Sequence, residues 1–146
     1  MRILLINGPN LNTLGTRETE IYGSATLDEI VRAVTDRAAS LGADVRAFQA
    51  NGEGELIDWL QRERKDAAGL IINAGAFTHT SVALRDAVAD CALPAVEVHL
   101  SNVWKREAFR HESLLSPVVR GVVAGFGPHS YLLAVEALVG VVKGTE

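Results

Sequence analysis

The sequence predicts an α/β fold built on a parallel sheet, and three observations carry that prediction. Short β-branched runs alternate with amphipathic segments along the chain, the pattern of repeated strand–helix units. The first strand-like run, Arg2–Asn7, is mostly apolar throughout, as expected of a strand covered on both faces. Capping residues, glycines and prolines fall where the amphipathic segments should start and stop.

Each element has its own justification. Arg2–Asn7 reads as the first strand. Thr26–Leu41 reads as a helix, because Leu27, Ile30, Val31, Val34, Ala38 and Leu41 keep close to a 3.6-residue period. Thr26 and Glu29 have the spacing of a capping box, and Gly42 offers a left-handed stop. Asp44–Gln49 is a second strand, and Glu55–Arg64 a second helix with Leu56, Ile57 and Leu60 on one face. Gly69–Asn73 is a third strand. A helix follows over Ser81–Cys91, capped by Thr80 or Ser81 and stopped before Pro94. Ala95–Leu100 and Val118–Ala124 are the last two strands. Pro128–Val142 is a closing helix, with Pro128 suited to its first turn. Five strands in a chain of 146 residues predict one domain, 1–146. The expected architecture is a three-layer sandwich with a flavodoxin-like strand order, 2-1-3-4-5.

Bulk properties exclude several classes of function. The net charge is −4, with charges mixed along the chain, so the basic face of a nucleic-acid binder is not expected. Cys91 is the single cysteine; it can form no internal disulfide and fits a reducing compartment. No basic segment followed by a long apolar run opens the chain, and no stretch approaches 18 apolar residues. A cytoplasmic protein without membrane contact is the expectation.

Parallel sheets of this kind bind ligands beyond the carboxyl ends of their strands. The residues that follow the strands are therefore the candidates. Asn7, Asn10, Arg17 and Tyr22 follow the first strand, and Asn51, Glu53 and Glu55 the second. Asn73, Thr78, His79 and Thr80 follow the third. Glu97, His99, Ser101 and Asn102 close the fourth, and Arg110 and His111 come next. The first strand lacks the acidic pair of a phospho-acceptor domain. No G-x-G-x-x-G or G-x-S-x-G motif occurs. Thr13, Thr16 and Thr19 do not lead straight into a helix N-terminus, where a flavin phosphate would sit. His79, His99 and Glu97 form only a weak metal-ligand set, without H-E-x-x-H or cysteine support. Acid–base chemistry on a polar, anionic small molecule remains. A tyrosine can serve as base where a cation lowers its reference pKa of about 10, and Arg17 is the cation on the same loop.

A resemblance sharpens this reading. The motifs are Ile6-Asn7-Gly8-Pro9-Asn10-Leu11 with Leu14-Gly15 and Arg17, then Ile21-Tyr22-Gly23. Gln49, Asn51, Glu53, Gly54 and Glu55 follow, then Asn73 to Ser81 with Leu84-Arg85-Asp86. Glu97-Val98-His99-Leu100-Ser101-Asn102 and Arg106-Glu107-x-Phe109-Arg110 complete the set. Together and in order, they make the chain similar to the type II 3-dehydroquinate dehydratases from end to end.

That resemblance implies a flavodoxin-like fold assembled as trimers packed into a dodecamer. It implies reversible dehydration of 3-dehydroquinate to 3-dehydroshikimate through an enolate, with no metal or cofactor. It implies Tyr22 as the base, held as phenolate by Arg17, and His99 as the general acid, oriented by Glu97. Asn10 would position a water on the enolate oxygen. Asn73, Ser101 and the backbone of Leu100 and Ser101 would bind the carboxylate. His79 and Arg110 would hold ring hydroxyls, and Asp86 would reach a neighbouring subunit's site. Arg17–Gly23 would close as a lid, with Gly15 and Gly23 as hinges.

Ala50, Gly52, Ala74, Phe77, Glu112 and Leu114 depart from the family's usual residues. Of these, Glu112 is expected to tie up Arg110. Three competing readings stand beside the dehydratase: a flavin-binding electron carrier of the same fold, a catalytically idle ligand-binding paralogue, and a Schiff-base dehydratase. The last needs a buried lysine, whereas Lys65, Lys105 and Lys143 all lie in polar contexts.

Overall fold

The computed structural model describes residues 1–16 and 18–144. Its five strands are β1 (Arg2–Asn7), β2 (Asp44–Gln49), β3 (Gly69–Asn73), β4 (Ala95–His99) and β5 (Gly121–Ala124). They pair parallel in one sheet of order β2-β1-β3-β4-β5. The helices are α1 (Thr19–Tyr22), α2 (Leu27–Ser40), α3 (Glu53–Glu63), α4 (Val82–Asp90) and α5 (His129–Lys143).

Side chains alternate across a strand, so each central strand feeds two cores. Ile3, Leu5, Ile71, Val96 and Val98 pack with Ile30 and Val34 of α2 and with Ala134, Val135 and Leu138 of α5. Leu4, Ile6, Leu70 and Ile72 point to the other face, against Leu56 and Leu60 of α3 and Leu84 and Val88 of α4. Every residue of β3 and β4 is buried. Burying each Leu or Ile contributes about 1.5–3 kcal/mol, so the central strands form a rigid base for whatever follows them.

Local chemistry sets the ends. Thr26 Oγ1 caps α2 by accepting the Glu29 N–H at 3.2 Å, and Gly42 turns left-handed at φ 82°. Ser81, rather than Thr80, caps α4 through the Leu84 N–H at 2.9 Å. Two boundaries differ from expectation by more than one residue. Helix α3 starts at Glu53, because Gly52 already takes the extended N-cap position. β5 starts at Gly121, because Ser116–Val118 forms a 3-10 turn and the ladder to β4 opens at Val96–Gly121. The single turn α1 was not anticipated; four residues are too few to show a period. Trp104 is exposed. Among the described residues, no helix is long and apolar enough to cross a membrane.

The strand order reverses between β1 and β3, and here the two chains leave the sheet almost in contact. The Gly8 N–H donates to the Asn73 carbonyl at 2.8 Å. A Cβ on Gly8 would lie 2.4 Å from the Ala74 carbonyl oxygen, so only glycine fits. This junction is the floor of the site.

Candidate active site

Asn7 ends β1 directly opposite Asn73 at the end of β3. Both carboxamides are buried, and the fully buried Tyr131 of α5 joins them from below. The Tyr131 hydroxyl donates to Asn7 Oδ1 at 2.7 Å and accepts from Asn73 Nδ2 at 2.8 Å. Burial pushes the Tyr131 phenol far up, which makes it a permanently neutral donor here. Asn73 Oδ1 accepts the Gly75 N–H at 3.1 Å. Asn73 is thus locked in orientation with its second amide hydrogen still available, and it lines the cleft above.

The loop after β1 is held from β2. Asn10 takes the left-handed region at φ 69°, which asparagine tolerates better than most residues. Its N–H donates to Asn51 Oδ1 at 2.9 Å. Gln49 Nε2 donates to the Gly8 carbonyl at 3.1 Å and to Asn51 Oδ1 at 3.2 Å. The Asn10 side chain lines the cleft.

β4 supplies an acid–base pair. His99 Nε2 lies 2.5 Å from Glu97 Oε2, and both side chains are buried. A carboxylate can only accept, so Nε2 carries the proton, and Nδ1 makes no hydrogen bond among the described residues. Burial alone would raise the Glu97 carboxyl. The bond and charge of His99, with hydroxyls from Ser116 and Ser113, outweigh it and hold Glu97 below the usual carboxylate range.

Two arginines stand across the cleft. The Arg106 guanidinium lies over the Tyr22 ring, 5.1 Å from its centroid, a cation–π distance. Arg110 Nε pairs with Glu107 Oε1 at 3.1 Å, and Arg106 Nε approaches the same oxygen at 3.8 Å. Glu112 therefore does not tie up Arg110. The turn Ala108–Arg110 brings Arg110 back on Glu107, three residues earlier. The Glu112 carbonyl instead accepts from His79 Nδ1 at 2.8 Å. That bond assigns the ring proton to Nδ1 and leaves Nε2 of the neutral ring as an acceptor.

One cleft gathers Asn10, Tyr22, Asn73, His79, His99, Leu100, Ser101, Arg106 and Arg110. Glu97 sits behind His99 rather than in the wall. Asp86 is exposed on α4 and does not line this cleft. Arg17 lies outside the described residues. The sequence reading assigned no role to Arg106, although its motif was visible, nor to Tyr131, Ser113 or Ser116. Only the fold reveals these four, because their partners are distant in sequence. Thr13 and Thr16 turn their hydroxyls onto the carbonyls of Asn10 and Thr13, so they form no phosphate cradle. Among the described residues, no three His, Cys, Asp or Glu side chains group closely enough to hold a metal ion.

A tyrosine under a cation, opposite a histidine backed by a buried carboxylate, can remove one proton and deliver another across a small polar molecule. Comparison with known proteins identifies the family. The family model of class II dehydroquinases matches residues 1–139. A 3-dehydroquinate dehydratase of Azorhizobium caulinodans is 57% identical over 93% of this chain and 92% of that protein. Another, of Roseiflexus castenholzii, is 56% identical over 96% of this chain and 89% of that protein. The crystal structure of a type II dehydroquinase from Butyrivibrio crossotus superposes with TM-score 0.92 at 43% identity, covering 94% of this chain and 97% of that one. The chain belongs to the class II dehydroquinase family, a family of hydro-lyases.

Proposed function

We propose that the chain dehydrates 3-dehydroquinate reversibly to 3-dehydroshikimate, with Tyr22 as base and His99 as acid. The observation that carries this reading is their convergence on one cleft, Tyr22 beneath the Arg106 guanidinium and His99 against Glu97. A cation over the ring favours phenolate over phenol. Arg106 thus shares the role that the resemblance gives to Arg17.

Tyr22 takes the proton beside the ketone, and the electron pair moves to the ketone oxygen as an enolate. Asn10 holds a water on that oxygen, which stabilises charge that develops only in the transition state. The enolate then collapses, the carbon–hydroxyl bond breaks, and His99 protonates the departing oxygen to release water. Because Nε2 is committed to Glu97, the proton delivered comes from Nδ1, and His99 must enter as imidazolium. Afterwards Tyr22 carries one proton more and His99 one fewer, and returning that proton resets the site.

The remaining groups orient the substrate. Asn73, Ser101 and the backbone of Leu100 and Ser101 take the carboxylate. His79 accepts from a ring hydroxyl through Nε2, and Arg110 holds a second. The assembly is a cytoplasmic homododecamer, a tetramer of trimers, in which the exposed Asp86 reaches a neighbour's cleft. A native-mass measurement tests that part: twelve chains are expected, and any other number overturns it.

The test adds 3-dehydroquinate to purified protein and follows the absorbance of the conjugated enone. Wild type produces it, and Tyr22→Phe and His99→Ala do not. Folded wild type that yields no enone overturns the proposal.

A further inference from the structure

Glu97 is 1% exposed, and a buried carboxylate needs donors in place of water. Beyond His99, it takes them from a segment well downstream. Ser116 Oγ lies 2.7 Å from Oε1, and Ser113 Oγ lies 3.0 Å from Oε1 and 2.9 Å from Oε2. Ser113 Oγ itself accepts the N–H groups of Leu115 and Ser116, at 3.1 and 3.0 Å. Its lone pairs are therefore occupied from the backbone, and its own hydrogen is directed to Glu97. The carboxylate meets three donors that have nothing to accept from it. A protonated Glu97 would have to break or reverse one of these bonds.

We infer that Ser113 and Ser116 are positioning residues for the acid step: they hold Glu97 ionised with Oε2 aimed at His99. The inference rests on the dehydratase reading above. His99 then keeps its Nε2 proton on Glu97, which leaves Nδ1 to serve the cleft. Burial works against the charge on Glu97, and the serine hydroxyls help outweigh it. Among the described residues, the other titratable and charged groups that line the cleft with His99 are Tyr22, His79, Arg106 and Arg110. None of them touches Glu97. The serines thus act on His99 only through the carboxylate.

Ser116→Ala is the clean test, because the Ser116 hydroxyl bonds only to Glu97, while its N–H stays on Ser113. With the full chain and 3-dehydroquinate, kcat falls about tenfold while KM stays within about twofold. The acid limb of the kcat profile moves to higher pH. Ser116→Thr, which keeps the hydroxyl, restores most of the loss. On a Glu97→Gln background, Ser116→Ala adds little, because the two act as one unit. Ser113→Ala also loosens the turn, so only its Glu97 dependence is informative. A carbon-13 titration of the Glu97 carboxyl reads the same link without turnover, and Ser116→Ala shifts it upward. Inactive wild type with that shift present defeats the dehydratase reading alone. An active Ser116→Ala with an unmoved acid limb overturns this inference, and so does an unshifted Glu97 titration.

Discussion

Replacing Tyr131 by phenylalanine deletes one oxygen from the floor of the cleft and strands two buried groups. Asn7 Oδ1 loses the donor at 2.7 Å, and Asn73 Nδ2 loses the acceptor at 2.8 Å. Asn7 Nδ2 is already buried without a partner, so Asn7 has little capacity to compensate. Each buried group left unsatisfied costs about 1–3 kcal/mol. Phenylalanine recovers part of this by burying no hydroxyl, so a net loss of about 2–4 kcal/mol is expected. For a domain of this size, about 3 °C of Tm per kcal/mol translates that into a fall of roughly 6–12 °C. The variant and wild type must be compared at equal chain concentration, because association shifts apparent stability. Asn73 also loses the bond that fixes its carboxamide at the floor of the cleft, where the proposal places the substrate carboxylate. KM for 3-dehydroquinate therefore rises several-fold, with a smaller change in kcat. Circular-dichroism melting and initial rates check both arms. A Tm within about 2 °C of wild type, with unchanged KM, would refute the argument that Tyr131 holds the floor.

Three other perturbations follow from the same geometry. Glu97 has its native carboxyl below the ordinary value of 4.5, so its stabilisation is complete above that value and is lost as pH falls through the native one. Urea unfolding from pH 6 to 3 should show a steeper acid loss for wild type than for Glu97→Gln. Gly8→Ala drives a methyl to 2.4 Å from a backbone oxygen; it should destabilise by about 1–3 kcal/mol or more in the same assay. Arg106→Ala removes a cation–π partner worth about 1–2 kcal/mol. Its kcat should drop roughly tenfold.

Local periodicity made the fold legible. The bounds of β1, β2 and β3 match the expected runs residue for residue: β1 and β3 are almost wholly buried, whereas the edge strand β2 is largely exposed and is marked by the turn residues on either side of it. β5 was misjudged because Val118 and Val119 look strand-like, whereas the Ser116–Val118 turn is fixed by contacts around Glu97 that no local pattern carries. The cleft residues His99 and Asn73 stood out as polar groups at strand ends, where position alone implies function. Arg106 did not stand out, since its value comes from lying over Tyr22, more than eighty residues away in the chain. Glu112 was assigned to Arg110 from mere nearness in sequence; the turn instead pairs Arg110 with Glu107 at the i, i+3 spacing.

The division of labour between Tyr22 and His99 is most directly tested by proton exchange in heavy water. Proton NMR of 3-dehydroquinate with His99→Ala should show deuterium entering beside the ketone without formation of the enone, because the base still acts and the acid is gone. Tyr22→Phe should show neither exchange nor enone. Exchange by Tyr22→Phe at the wild-type rate would contradict the assignment of Tyr22 as the base.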